Sequence, residues 1–447
     1  MSSITALTLD KEDLRTDFYR LAFINILSNL LVPLSGFLSV AFLGHLGEIH
    51  YLAGVTLSTI LFNYLYRTLG FLRMSTTAIT AQAVGSDDET LMWLTGLRNA
   101  LLAFVIGIIL LILHQPLGHI GFALLSATPD VKEAGIAYYN ARIWGAPATL
   151  LNFVFLGWFL GRGQSGKVFW MSLVGNGVNI FLDYLLIIRW NWASTGAGFA
   201  TSISQYIMLL VGFVFILQEL ELSKFRAILS QIWVSSNWKE TLILNRDIFI
   251  RSFAFLSTFS LFTNLSSAMG TMTLTENALL LQVITLTVYL VDGLAYATES
   301  MAGMFKGKGA YEQLYPLLQI SAQTSLMIGI SFAVACLLFP DSLLGILTNH
   351  SEILECLHPY LPWLLPVLGF GSLAFMLDGY FLGLAEGAIL RNTALVATLA
   401  GFVPIAMIAW QLQSCYLLWL ALSLFMIVRV TLLGIQVPKT LKSTPII

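Results

Sequence analysis

Charge is what this chain has least of: Asp, Glu, Lys and Arg together make up 10% of its 447 residues. A soluble domain of this length carries roughly a quarter of its residues charged, so a water-exposed globular fold is excluded. Cysteine is equally sparse. Cys336, Cys356 and Cys415 are odd in number, confined to the second half and lack metal-ligand spacing, which excludes a disulfide framework and a zinc site and leaves packing roles. No G-x-x-x-x-G-K-[ST] loop occurs, nor a polar stretch large enough for a nucleotide domain, so ATP is not the expected power source. H-E-x-x-H and G-x-S-x-G are missing as well. The six histidines, His45, His50, His114, His119, His350 and His358, fall in or beside expected outer loops. They could sense external pH, but ordinary interfacial side chains are the simpler reading. An enzyme is therefore not expected. The first twenty residues lack a basic n-region and mix Asp10, Lys11, Glu12, Asp13 and Arg15, which reads as a cytoplasmic tail and not as a cleavable signal.

What is abundant is apolar length. Hydrophobic residues make up 57% and the mean hydropathy is +0.82. The apolar runs reach about 20 residues or more without period-2 alternation, which points to membrane helices and excludes a β-barrel. Twelve spans are expected. They lie near 21–43, 52–83, 91–113, 138–160, 168–188 and 194–217, then near 248–269, 274–305, 316–338, 360–382, 390–410 and 417–435. The second six repeat the first. Gly157-Trp158-Phe159-Leu160-Gly161 returns as Gly379-Tyr380-Phe381-Leu382-Gly383, and the same gapless offset of 222 lays Leu52 to Gly85 onto Leu274 to Gly307.

The expected fold is thus all-α and integral to the membrane, with twelve transmembrane helices in two six-helix bundles related by an internal repeat. The expected division is a cytoplasmic tail over 1–20, an N-lobe over 21–220, a cytoplasmic connector over 221–246, a C-lobe over 247–436 and a second tail over 437–447. Most basic residues, among them Arg98, Arg162, Lys167, Lys224, Arg226, Lys306, Arg429 and Lys442, fall at one set of span ends, whereas Lys132, Arg142 and Arg189 lie towards the other. The positive-inside rule then places both termini in the cytoplasm. Six spans per copy make the repeats parallel, an arrangement of secondary transporters that bind at the lobe interface and rock between states.

An ionisable residue inside a span costs roughly 2.5–3.5 kcal/mol on insertion scales and is rarely decorative. Asn176, Asn179 and Asp183 fall at i, i+3 and i+7 on one face of the fifth span, a stripe able to bind H⁺ or Na⁺, or simply to glue helices together. Asp292 and Glu299 lie seven apart in the eighth span, and Asp378 precedes the repeated glycine motif. Each acid suits cation exchange or a salt bridge to an arginine such as Arg251. Arg67 and Arg73 sit on one face of the second span, where the other copy has Tyr289 and Ala295. Candidate coupling residues are therefore Asp183, Asn179, Asn176, Asp292 and Glu299. Candidate cavity residues are Ser39, Arg67, Arg73, Asp378, Tyr289 and Tyr296, the tyrosines being suited to stacking on cations or to packing. Pro33, at the centre of the first span, is a candidate hinge.

The stretch Phe71-Leu72-Arg73-Met74-Ser75-Thr76-Thr77-Ala78-Ile79-Thr80-Ala81-Gln82-Ala83 resembles the second-span signature of the DinF branch of the MATE multidrug and toxin extrusion transporters. Leu43-Gly44-His45-Leu46-Gly47, Gly145-Ala146-Pro147-Ala148, Asn179 with Asp183, Asn245-Arg246-Asp247, Asp292-Gly293 with Glu299, and Asp378-Gly379 occur in the family's order. The resemblance implies two bundles around a V-shaped cavity and export of small amphipathic organic compounds, such as drugs, toxins or metabolites, in exchange for H⁺ or Na⁺. It further implies a bacterial inner-membrane monomer that meets its substrate and membrane lipids, with no cofactor and no nucleic acid. One position departs. Family members usually read G-L-V-D-T-A-x-x-G-H-L in the first span, and this chain reads Gly36-Phe37-Leu38-Ser39-Val40-Ala41-Phe42-Leu43-Gly44-His45-Leu46, with Ser39 in place of the acid. Three expectations stay open: coupling through Asp183 or the Asp292/Glu299 pair; an anionic, neutral or lipid-linked substrate handled by export or flipping; or uncoupled transport.

Overall fold

The structure is a computed structural model that describes residues 11–441 except 47, 126, 221–227, 229–230, 233–234, 346–353 and 355. Lys224, Arg226, His350 and Lys442 lie outside the described residues. Among those described, all regular structure is helical. The spans, in order, are Lys11–Gly44; Ile49–Leu69 with Phe71–Gly85; Glu89–Ile112; Pro129–Gly161; Ser165–Arg189; Ala193–Leu217; Ser235–Ala268; Thr271–Lys308; Tyr311–Leu338; His358–Gly383; Gly387–Gln411; and Cys415–Thr440. Eleven of these are long and apolar enough to cross a membrane as single helices. The second is interrupted at Gly70, and with it the count agrees with twelve.

Local chemistry sets the ends. Asp88, in the acidic run at 87–89, caps the third span by accepting from the Leu91 N–H at 2.8 Å. Pro129 opens the fourth span nine residues before its apolar run begins, because a proline's missing N–H costs nothing in a first turn. Of the expected connector, residues 235–246 already form the first turns of the seventh span.

The repeat reaches the backbone. Ile49 and Thr271, Ser165 and Gly387, and Ala193 and Cys415, each separated by the same 222 positions, open equivalent helices. Left-handed residues recur in the same register: Asp87 (φ 55°) with Gly309 (φ 74°), Gly163 (φ 65°) with Ala385 (φ 57°), and Asn191 (φ 57°) with Gln413 (φ 50°). Each lies in a turn that follows a helix, where a left-handed residue closes the last carbonyls. The repeated glycines explain the motif that first revealed the copies. Cβ atoms built at Gly157 and Gly161 would stand 2.4 and 2.7 Å from the carbonyl oxygens of Arg73 and Thr77, and those at Gly379 and Gly383 would stand 2.6 and 2.2 Å from those of Ala295 and Glu299. In each copy the fourth helix thus lies with its backbone directly on the second, at equivalent residues. Such contact needs small residues.

The described residues cluster into two compact units, one comprising those within 11–26, 85–87 and 242–441, the other those within 27–84 and 88–241. We call them the carboxy-terminal and amino-terminal units. Cys336 and Cys415 are packing residues as expected, whereas Cys356 is exposed and is not.

At one end of the amino-terminal unit, Glu219 receives Arg162 and Lys167, the first of which also lies 4.3 Å over the Trp158 ring. Burial alone raises the Glu219 carboxyl, but the two cations outweigh it and hold it below its usual range. A carboxyl depressed by folding stabilises above its unfolded value and loses that contribution as pH falls through the folded one. Acidification is therefore expected to lower the melting temperature of the wild type more steeply than that of Glu219→Gln. Equal slopes in melting curves across the acid range would mean the trio contributes nothing.

Candidate functional site

The fifth span carries its polar stripe where its helix changes pitch. Ser165–Asp183 is α-helical, and Tyr184–Arg189 continues as a π-helical turn. Asp183 is the last α-helical residue and is 1% exposed. Single π turns inside helices concentrate at functional sites.

Two serines of the first span meet this stripe. Ser39 Oγ donates to Asp183 Oδ2, and one turn earlier Ser35 Oγ donates to Asn179 Oδ1 at 2.7 Å. Both serines follow Pro33, across which the helix Lys11–Gly44 continues without a break. The ties leave two buried orphans on the fifth span: Asp183 Oδ1 and Asn179 Nδ2 have no hydrogen-bond partner among the described residues. Asn176, the third member of the stripe, instead donates to the Ser172 carbonyl of its own helix at 2.8 Å. Among the described residues, no charged side chain acts on Asp183.

The carboxy-terminal unit treats its acids differently. Asp378, 4% exposed, accepts from Arg251 Nη2 and Arg429 Nη2 on the same oxygen. Arg429 was expected at a cytoplasmic span end. It stands instead inside the helix Cys415–Thr440, 2% exposed, over the rings of Phe255, Phe375 and Phe425 at 5.1, 5.1 and 5.4 Å, and so carries no weight in orienting the chain. Asp292 lies close enough for its charge to act on Arg429. Tyr289, Asp292, Tyr296 and Glu299 follow at i, i+3, i+7 and i+10, so they form one stripe of the eighth span, half-buried except for Glu299, which is buried.

Arg67 and Arg73 do not share a continuous helix face. The turn at Gly70, whose N–H bonds to the Arg67 carbonyl at 3.3 Å, separates them. Arg67 is exposed and makes no ion pair among the described residues, while Arg73 is buried. Ser35 and Arg429 were missed in the sequence. Ser35 had a signal, since it precedes Ser39 by one turn exactly as Asn179 precedes Asp183.

The second copy also ties its first and fifth helices, but at a different register and without a titrating group: Thr258 and Thr398 stand 222 positions after Gly36 and Asn176. They share a hydroxyl contact at 2.9 Å, and Thr398 lies in the π-helical turn Ala397–Phe402. Pro404 follows, unable to donate into a regular turn.

The chain matches the family MatE over residues 25–185 and again over 248–408, two stretches of equal length that coincide with the two copies. It is 32% identical over 413 residues to the DNA damage-inducible protein F of Escherichia coli, covering 92% of this chain and 89% of that one. It is 24% identical to a probable multidrug resistance protein NorM of Thermotoga maritima, covering 77% and 74%. Among solved structures it resembles the outward-facing conformation of a multidrug resistance MATE family transporter of the MOP superfamily, with TM-score 0.85 and 20% identity over 96% of this chain and 97% of the other. It also resembles a MOP superfamily transporter from Pyrococcus furiosus, described as having a binding pocket of reverse polarity that suggests a different function, with TM-score 0.84 and 19% identity over 96% and 97%.

Proposed function

The chain belongs to the MatE family of transporters, and from that premise we propose that it is a secondary antiporter exporting small amphipathic organic compounds in exchange for H⁺ or Na⁺, with Asp183 as the coupling carboxylate. The observation that carries the reading is the contrast between two buried acids. Asp378 has its charge compensated by two guanidinium groups, whereas Asp183 has only hydroxyl support at one oxygen and nothing at the other. A carboxylate kept inside a membrane span without a fixed counter-ion is one whose cation is exchangeable. The reading requires no other cofactor. The stripe of Tyr289, Asp292, Tyr296 and Glu299 supplies aromatic and acidic groups for cationic substrates, with Pro33 as the flexing point of the first span. We place both termini in the cytoplasm on the distribution of the remaining Lys and Arg residues, and the family resemblance suggests a monomer in the plasma membrane.

The test is efflux of a fluorescent organic cation from reconstituted vesicles under an imposed proton or sodium gradient. One gradient is expected to drive the wild type, and Asp183→Asn to reduce driven efflux to that of protein-free vesicles. Driven efflux at the wild-type rate in Asp183→Asn would remove Asp183 from coupling.

A second reading has its own support. Ser39 stands where the resemblance has an acid, and Arg67 presents an exposed guanidinium with no ion pair among the described residues, so the amino-terminal unit holds a positive group and lacks the usual negative one. Export or flipping of an anionic or lipid-linked compound follows from that. Counterflow of an anionic amphipath with no cation gradient would favour it.

A further inference from the structure

Ser39 is placed to make two hydrogen bonds with one proton. Its Oγ lies 3.1 Å from the Ser35 carbonyl of its own helix and also bonds Asp183 Oδ2. A hydroxyl has a single donor and two lone pairs. While Asp183 is ionised it only accepts, so the Ser39 proton goes to it. Once Asp183 carries a proton its carboxyl becomes a donor, and Ser39 Oγ receives that bond while turning its own proton to the Ser35 carbonyl.

We infer that Ser39 is a positioning residue whose hydroxyl reverses direction with the protonation of Asp183, so that the first and fifth spans stay tied in both states. The inference rests on the antiport reading above, with H⁺ as the ion carried. The step balances simply: one proton arrives from solvent on the Asp183 carboxylate, the Ser39 proton rotates without leaving Oγ, and no heavy-atom bond forms or breaks. An acid at position 39 would add a second titrating group at the same rung. With serine, the rung titrates once. Among the described residues, the side chain that hydrogen-bonds Asp183 is Ser39 from the first span, and Asn179, one turn back on the same helix, is itself held by Ser35. The next residue, Tyr184, turns to the Phe42 ring at 6.2 Å. Under the offset of 222, Ser39 and Asp183 correspond to Leu261 and Ile405, so the titrating rung belongs to one copy, and the second copy joins its equivalent helices at another register through Thr258 and Thr398.

The test uses full-length protein in vesicles, comparing wild type, Ser39→Ala, Ser39→Thr and Asp183→Asn. Two readouts are taken: the pH dependence of gradient-driven efflux and the carboxyl C=O band in infrared difference spectra. The wild type is expected to follow a single-site titration, with a carboxyl band that Asp183→Asn removes. A hydrogen bond favours the charged acceptor over the neutral one, so Ser39→Ala is expected to move the pH midpoint upward by about one unit and to shift the band. Ser39→Thr is expected to restore both. An unchanged midpoint and band in folded Ser39→Ala would overturn the inference, as would Ser39→Thr behaving like Ser39→Ala. Driven efflux persisting in Asp183→Asn would instead overturn the antiport reading on which it rests, and the two failures are read from different variants.

Discussion

Asp378→Ala is expected to cost about 3–5 kcal/mol of stability, enough to leave much of the protein unfolded or degraded. The reason is the number of charges that depend on one carboxylate. Arg251 and Arg429 both donate to Asp378 Oδ2, and Arg429 is nearly inaccessible. Deleting the acceptor leaves two like charges crowded in a low-dielectric interior, with the charge of Asp292 still acting on Arg429 but the direct acceptor gone. The rings of Phe255, Phe375 and Phe425 attract the Arg429 cation but do not neutralise it. Asp378→Asn keeps the shape and loses the charge, so it should fall between the wild type and alanine. Replacing Arg429 by methionine in the Asp378→Ala background should recover part of the loss, since removing both partners of a buried pair costs less than removing one. Thermal melting in detergent measures all three. A wild-type melting temperature for Asp378→Ala would show that the cluster does not hold the unit together.

The spans, their number and the repeat were legible in the sequence because each rests on a local signal: a long apolar run, or one glycine motif appearing twice at a fixed offset. The signal fails where polarity and conformation part company. Gly70 interrupts the second span, yet the residues on both sides of it are apolar enough to read as one helix, and Arg67 and Arg73 were placed on one face although six residues set them about 120° apart even in an unbroken helix. Arg429 looked like an end charge because it stands near the end of an apolar run, and its partner Asp378 comes from another helix altogether. Asp183 could be singled out by its cost in a membrane. That Ser39 reaches it could not be read directly, because residues so far apart in the chain carry no pairing signal beyond the matched one-turn spacings of Ser35 with Ser39 and of Asn179 with Asp183. What the sequence did show was the departure itself, a serine where an acid is usual.

Gly383→Ala is expected to impair folding more than any other single-methyl addition at the repeated motif. Its Cβ would stand 2.2 Å from the Glu299 carbonyl oxygen, against 2.4 Å at Gly157, 2.6 Å at Gly379 and 2.7 Å at Gly161. The obstacle in every case is a backbone atom within a helix, which no rotamer change can move aside. Carbon and oxygen approach to about 3.3 Å at closest in ordinary packing, so the tenth helix must draw back from the eighth by about 1 Å. Withdrawal opens gaps along both helices, and overpacking of this kind costs about 1–3 kcal/mol, with the upper end expected here because strain falls on the backbone. The control is Gly434→Ala, inside the helix Cys415–Thr440, where nothing lies within 4 Å of the added carbon. There alanine should stabilise by about 0.5–1 kcal/mol, through helix propensity alone. Melting temperatures should therefore move in opposite directions in the two variants. If Gly383→Ala melts with Gly434→Ala, the repeated glycines are not there to let backbones touch. If instead Gly157→Ala and Gly379→Ala fall together and below it, the two copies share one packing constraint, enforced at the same residue by the same missing side chain.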